Sequence, residues 1–396
     1  MLKLEFFKYK SMKGKFPIDK FRTLETPFYY YDMDLLSNTL KTIKAESGKY
    51  GYKLHYALKA NTNPRILKFI CEAGLGADCV SGNEIKACIE AGFPASEIVF
   101  AGVGKTDKEI NYALEQNIFC FNVESIPEWE VINELAAKQA KKASVAIRLN
   151  PNVDGHTHAK ITTGLDENKF GINFEMLPQV IACLKTLSNV ELIGLHFHIG
   201  SQITDLSSFQ DLCIRVNELQ DKLEEQSGIV VKNINIGGGF GVNYEHPNHM
   251  AIPDFETYFR IVNKNLKLRQ GQVLHCEPGR SIVAQCGNLI TRVVYVKEGT
   301  VKKFAIVDAG FTDLIRPAMY DSYHRIENIT SDEKTEVYDI VGPVCESSDI
   351  FAKDRELNKS KRGDLFAIRS AGAYGEVMAS QYNLRELPKA YFSDSL

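Results

Sequence analysis

Apolar and polar positions alternate along this chain in two distinct rhythms, and the change falls near residue 280. From about Phe28 to Arg280, short apolar runs are followed by longer amphipathic segments, as in strands covered by helices. Eight runs stand out, at residues 53–60, 76–81, 98–102, 119–124, 145–151, 192–200, 234–241 and 273–280. The segments between them predict helices over 63–73, 82–91, 107–116, 126–141, 175–187, 205–226 and 254–268. Eight such repeats in roughly 250 residues predict an α/β fold, a closed (β/α)8 TIM-type barrel. Beyond Arg280, strand-like runs at 289–298, 303–310, 336–342 and 364–372 follow without long amphipathic segments, which predicts a C-terminal antiparallel β-domain. The expected division is a barrel over 25–281 and a β-domain made of 1–24 and 282–396. The charged stretches 330–335 and 353–364 read as solvated loops.

A length of 396 residues exceeds what one hydrophobic core covers, which agrees with two domains. A net charge of −3 with 24% charged residues shows no basic excess, so nucleic acid and membrane surfaces are not expected partners and a small-molecule substrate is. The nine cysteines are scattered without CxxC or Cys/His ligand spacing, which points to a reducing compartment with no zinc site or disulfide framework. The first 16 residues alternate lysine with apolar residues and show no signal-peptide pattern, and no apolar run reaches membrane-spanning length, so a cytoplasmic location is expected.

A parallel barrel carries its chemistry at the C-terminal ends of its strands, where the βα loops converge. The polar residues that interrupt the apolar runs fall there: Lys59 at the first, Asp78 and Ser81 at the second, Arg148 and Asn150 at the fifth, His196 and His198 at the sixth, Gly237 to Gly239 at the seventh, Glu277 and Arg280 at the eighth. Lys59 stands among uncharged neighbours, so its amine is expected in a partly desolvated site with a lowered pKa, suited to a Schiff base. A solvent-facing lysine at a strand end is the other reading. The run Gly237-Gly238-Gly239, with Ser201 one strand earlier, can form a phosphate cup, because backbone without side chains approaches phosphate oxygens closely; a tight turn alone would use glycines too. A carboxylate buried at Glu277 needs a cationic partner, either a protonated pyridine nitrogen or one of Arg280 and Arg148. His198 suits stacking on a flat ring, and is otherwise a core histidine. In the C-terminal part, Asp313, Arg316, Tyr320 and Arg325, then Cys345, Glu346 and Asp349, then Tyr374, form a dense polar cluster. Arg280 and Arg316 can clamp a carboxylate or form ordinary ion pairs, and the Cys345 thiol can give a proton to a carbanion or be inert.

These motifs resemble one family. YALKA at 56–60, HIGS at 198–201, GGG at 237–239, EPGR at 277–280, DLIRPAMY at 313–320, CESSD at 345–349 and GAYG at 372–375 occur in the order found in the diaminopimelate decarboxylases, members of the alanine-racemase-like, fold-type III group of pyridoxal-phosphate enzymes. The resemblance spans nearly the whole chain, from residue 26 to 383. It implies pyridoxal 5'-phosphate as cofactor, with Lys59 as its Schiff-base lysine and Asp78 and Glu84 nearby. His198 would stack on the ring; Ser201, Gly239 and Gly279, with the neighbouring Gly238, Pro278 and Arg280, would hold the phosphate; Glu277 would pair with the pyridine nitrogen. Arg280, Arg316 and Tyr320 would bind the distal substrate carboxylate, and Glu346 the distal ammonium. Tyr374 would touch cofactor and substrate, and Cys345 would supply the proton. The catalytic set is thus Lys59, Cys345, His198 and Glu277. The family also implies a homodimer with shared active sites, because its Cys-Glu segment enters the neighbouring subunit's mouth. Thr312 and the run Gly375-Glu376-Val377 depart from the usual pattern beside these contacts.

The implied reaction is decarboxylation of meso-2,6-diaminopimelate to L-lysine and CO2, the last step of lysine biosynthesis. Ornithine, arginine or carboxynorspermidine decarboxylation is the alternative within the same chemistry, and the diamine-forming relatives carry aspartate where this chain has Glu346. A non-catalytic cofactor carrier or regulator is the alternative outside it.

Overall fold

The computed structural model describes residues 13–153 and 169–396. Its strands are β1 (Phe28–Tyr31), β2 (Lys53–Ala57), β3 (Gly76–Cys79), β4 (Ile98–Phe100), β5 (Cys120–Val123), β6 (Ala143–Asn150), β7 (Ile172–Asn173), β8 (Val190–His196), β9 (Asn233–Asn235), β10 (Val273–Cys276), β11 (Gly287–Glu298), β12 (Lys303–Val307), β13 (Ile326–Asn328), β14 (Thr335–Val341), β15 (Ile350–Asn358), β16 (Leu365–Ile368) and β17 (Lys389–Phe392). Chain contacts divide the protein into two units, one of Leu40–Gly241 with Asp254–Gly279, the other of the described part of Met1–Thr39 with Val242–Pro253 and Arg280–Leu396.

In the first unit β2, β3, β4, β5, β6, β8, β9 and β10 pair in parallel, and β10 returns to β2, closing an eight-stranded barrel. All eight predicted runs become these strands. β3 and β5 are buried at every position, as parallel strands covered on both faces must be. The predicted helices are present as Pro64–Glu72, Gly82–Ala91, Asp107–Gln116, Ile126–Lys138, Leu177–Leu184, Ser207–Ser227 and Phe255–Asn265. Their starts are set by side chains that accept orphan backbone N–H groups: Asn63 from Arg65, Ser81 from Glu84, Ser125 from Glu128, and Thr106 with Glu109 in a reciprocal capping box. The helix expected to reach residue 141 stops at Lys138, because Ala140 turns to φ 53°.

Among its described residues the second unit holds one sheet, with path β13-β16-β11-β12-β14-β15 and β1 added between β11 and β17. Its pairings are antiparallel, as expected, except for β12 with β14 and β1 with β17, which run parallel. Phe21, Phe28, Tyr30, Ile290, Ile329, Leu365 and Ala367 form a core cluster, where Phe21 meets Phe28 and Tyr30 edge-on at 5.2 and 4.9 Å. Two local expectations change. The expected loop over 353–364 is partly strand, since β15 continues to Asn358 with charged residues on an edge that, among the described residues, pairs with β14 alone. The contacts also depart from the boundary expected at residue 25, because Phe28–Tyr31 pairs with β11 and β17 and leads into an unpredicted helix, Met33–Gly48. Among the described residues no helix is long and apolar enough to cross a membrane.

Candidate active site

In the barrel unit, residues at or just past the C-terminal ends of the strands build a site around Glu277, the residue after β10. Its carboxylate is buried and accepts three hydrogen bonds: Oε1 from Asn235 Nδ2 at 2.7 Å and Asn122 Nδ2 at 3.2 Å, and Oε2 from His196 Nε2 at 3.0 Å. Burial pushes this carboxyl up, but the His196 imidazole, through charge and hydrogen bond, and the Lys59 amine outweigh it, so Glu277 is held well below the usual carboxylate range. Arg148, one of the arginines that could have paired with Glu277, is engaged elsewhere. Arg148 binds Glu124 at 2.7 Å, and Glu124 also takes the Gly171 N–H at 2.8 Å.

Lys59 lies in the short 3-10 turn Leu58–Ala60 that follows β2. Its neighbours Leu58 and Ala60 are buried, yet its side chain is 41% exposed, more open than the sequence suggested. Its Nζ stands 3.6 Å from Asp78 Oδ2. Both oxygens of this buried Asp78 lack a hydrogen-bond partner among the described residues, and burial and then Glu277 push the carboxyl up against the pull of Lys59. Glu84 takes the Val80 N–H at 2.7 Å, and the Lys59 charge acts on its carboxyl too.

His198 accepts the Gly238 N–H on Nδ1 at 3.3 Å, which assigns its own proton to Nε2. Desolvation, then Arg148 and Lys59, push this imidazole well down, so the ring is neutral. The Gly238 N–H thus points to His198, and the Gly237 N–H goes to Asn235 Oδ1 at 2.8 Å. Gly239 has φ 103°, and a side chain there would come within 2.6 Å of the Gly200 carbonyl, next to Ser201.

The second unit carries the predicted cationic pair. Arg280 and Arg316 are both buried, and each donates Nη1 to the hydroxyl of Tyr244, at 2.6 and 3.0 Å. The Arg280 guanidinium also lies over the Tyr374 ring at 4.7 Å. Tyr320, half-buried, ends the turn Arg316–Tyr320. Cys345 and Glu346 are exposed: the Cys345 N–H donates to Asn383 Oδ1 at 3.2 Å, and Glu346 accepts from the Tyr382 hydroxyl at 2.6 Å. The other members of the expected cluster do structural work. Asp313 takes the Gly310 N–H, Asp349 takes those of Phe311 and Val344, and Arg325 binds Glu327. The departure at Glu376 has a reason, since its carboxylate accepts from the Tyr31 hydroxyl at 2.6 Å.

Sequence reasoning missed Asn122, Asn235, Tyr244 and His324. The two asparagines left a signal, each a polar residue near the end of an apolar run. His324 accepts Arg316 Nη1 on Nε2 at 3.0 Å and donates from Nδ1 to the Arg369 carbonyl at 2.9 Å. Burial, and then Arg316, push its imidazole down to about 3. The unfolded imidazole titrates near 6.5, so between those values only the unfolded state holds the extra proton. The stability that the neutral ring contributes is complete above pH of about 6.5 and declines below it, on the order of 1.4 kcal/mol per pH unit. We expect His324→Gln to flatten the acid limb of stability from urea unfolding between about pH 6 and pH 4; an unchanged slope contradicts this assignment.

A family model for pyridoxal-dependent decarboxylases, their pyridoxal binding domain, matches residues 35–284. A diaminopimelate decarboxylase of Bacteroides thetaiotaomicron is 64% identical over 386 residues, covering 97% of this chain and 100% of that one. Another, of Aquifex aeolicus, is 42% identical over 366 residues, covering 92% and 86%. The crystal structure of the Helicobacter pylori diaminopimelate decarboxylase, complexed with L-lysine, matches with a TM-score of 0.88 at 41% identity, covering 94% of this chain and 93% of that one. With this likeness over nearly its full length, and a barrel whose strand ends carry a lysine and a buried anionic glutamate, the chain belongs to the diaminopimelate decarboxylases of the pyridoxal-dependent decarboxylase family.

Proposed function

We propose that this protein decarboxylates meso-2,6-diaminopimelate at its D-configured end, giving L-lysine and CO2, the last step of lysine biosynthesis, with pyridoxal 5'-phosphate as cofactor. The observation that carries the reading is the barrel-unit set of Lys59, neutral His198 and buried, anionic Glu277 at the ends of the strands. These residues fit the cofactor, and the buried Asp78 carboxyl, without a hydrogen-bond partner among the described residues, supports that fit.

When bound, pyridoxal phosphate supplies an aldehyde that links to amines and a ring that accepts the electron pair left by departing CO2. Lys59 would hold it covalently through Nζ until the substrate amine takes its place. The flat, neutral His198 would stack on it. Glu277 Oε2 carries one hydrogen bond from His196, and a carboxylate oxygen has a second lone pair, which would hold the proton of the ring nitrogen. Ser201, Gly239 and Gly279 would bind the phosphate. The neighbouring Gly238, Pro278 and Arg280 would help to hold it there.

On the substrate side, Arg280, Arg316 and Tyr320 would hold the distal carboxylate, Glu346 the distal ammonium, and Tyr374 would contact substrate and cofactor. Cys345 would pass its thiol proton to the carbon that has lost CO2, which balances the reaction. Cys345 and Glu346 are exposed in the single chain, and this supports their serving the mouth of a second copy in a homodimer with shared active sites. A cytoplasmic location belongs to the same reading.

CO2 release, measured in parallel on diaminopimelate, ornithine, arginine and carboxynorspermidine, tests the substrate. Diaminopimelate should exceed the others in kcat/KM by at least roughly a hundredfold, since a site built around charged groups rejects substrates that leave them without partners. Glu346→Asp should lower that margin. A preference for ornithine overturns the reading.

A further inference from the structure

The second unit brings two like charges together on one phenol. Tyr244, in the segment Val242–Pro253, is buried, and its hydroxyl accepts Arg280 Nη1 at 2.6 Å and Arg316 Nη1 at 3.0 Å. The two guanidiniums also lie near its ring face, 5.9 and 5.2 Å from the centroid. The ring of His324 meets it edge-on at 5.0 Å. Beyond desolvation, Tyr244 acts more strongly than any other group on both arginines, and Tyr374 also acts on each.

A phenol oxygen has two lone pairs and one proton. Here guanidinium donors take both lone pairs, so the proton is what Tyr244 has left to offer. Arginine has no acceptor atom, and the nearby Nε2 of His324 is already engaged by Arg316. The cluster therefore combines two cationic forks and one hydroxyl donor, and what complements it is an anion with several acceptor positions. A carboxylate, with about four lone-pair sites, has that capacity.

We propose that Tyr244 is a positioning and specificity residue for the distal carboxylate: it fixes the spacing of the Arg280 and Arg316 guanidiniums and donates its own hydroxyl proton to the bound carboxylate. This rests on the reading that the two arginines bind that carboxylate. The electrostatics agree. Burial pushes the phenol up, but Arg280 and Arg316, by charge and hydrogen bond, outweigh it and make the hydroxyl a stronger donor than an ordinary tyrosine.

The test compares L-lysine, which retains the distal carboxylate, with cadaverine, the same diamine without it. Calorimetric titration of the holoenzyme should show Tyr244→Phe weakening L-lysine by roughly tenfold or more while cadaverine changes by less than about twofold. In turnover of diaminopimelate the loss should fall mainly on KM, with kcat lowered less than about threefold. Equal weakening of both ligands, or of neither, overturns the proposal; equal weakening would mean that Tyr244 only supports the structure. Wild-type protein that binds L-lysine no more tightly than cadaverine overturns the carboxylate reading of the arginines, and the proposal falls with it. Should the variant fold poorly, 3-fluorotyrosine placed at position 244 keeps the question open to decision: its fluorine resonance should move with L-lysine and stay with cadaverine, and a resonance indifferent to both contradicts the role.

Discussion

Replacing Lys59 by alanine should lower CO2 release from diaminopimelate by on the order of 10⁴-fold, with the protein still folded. The amine follows β2 on a three-residue turn and touches Asp78 across 3.6 Å, and its side chain is 41% exposed, so little packing is lost when it is removed. On the proposed reading, what is lost is the covalent hold on the cofactor. Asp78 then keeps a buried carboxyl without its ammonium neighbour, and since Lys59 is what pulls that group down against burial, its removal should push the carboxyl further up. Steady-state CO2 assays with thermal unfolding in parallel separate the two effects. Activity within tenfold of wild type would contradict the role.

Glu277→Gln should lower kcat by roughly 10² to 10³-fold, a size typical for removing an electrostatic stabiliser, yet change stability only modestly. The carboxylate accepts from Asn122, Asn235 and His196. A glutamine can keep its carbonyl toward the two asparagines and present its amide to His196. That histidine can move its proton to Nδ1, which has no hydrogen-bond partner among the described residues, and accept on Nε2. The hydrogen bonds survive while the negative charge does not, so on the proposed reading a protonated ring nitrogen would lose its counter-ion. Glu277→Ala, by contrast, leaves three donors facing a void and should cost about 3–5 kcal/mol of stability. Kinetics and denaturant unfolding on both variants check the contrast. Equal stability losses would show that the carboxylate acts through packing alone.

Much of the barrel unit could be read from the chain because its signal is repetitive. Each buried strand is an apolar run, and each catalytic candidate interrupts such a run at its end, as Lys59, Asp78, His198 and Glu277 do. The partners of those residues were harder to read, because they depend on which strands become neighbours. Arg148 reads in sequence as a counter-ion for Glu277, but β6 pairs with β5, the strand that leads to Glu124, and Glu124 takes the arginine. Glu277 is answered by neutral amides from β5 and β9 instead. Tyr244 lay outside every periodic segment, in an irregular stretch with no pattern to mark it. Phe28–Tyr31 has the composition of any buried strand, and only its register with Gly287–Ile290 of β11 shows which sheet it joins. The glycine run was visible as a run, whereas the use of the Gly238 N–H as a donor to His198 is a matter of backbone direction that composition does not carry.

Borohydride reduction of the holoenzyme, followed by peptide mapping, reads out whether Lys59 Nζ is bonded to the cofactor aldehyde. One phosphopyridoxyl group per chain is expected, on the peptide that contains Lys59, with loss of the yellow absorbance. A label on another lysine, or a chain that takes up none, would contradict it.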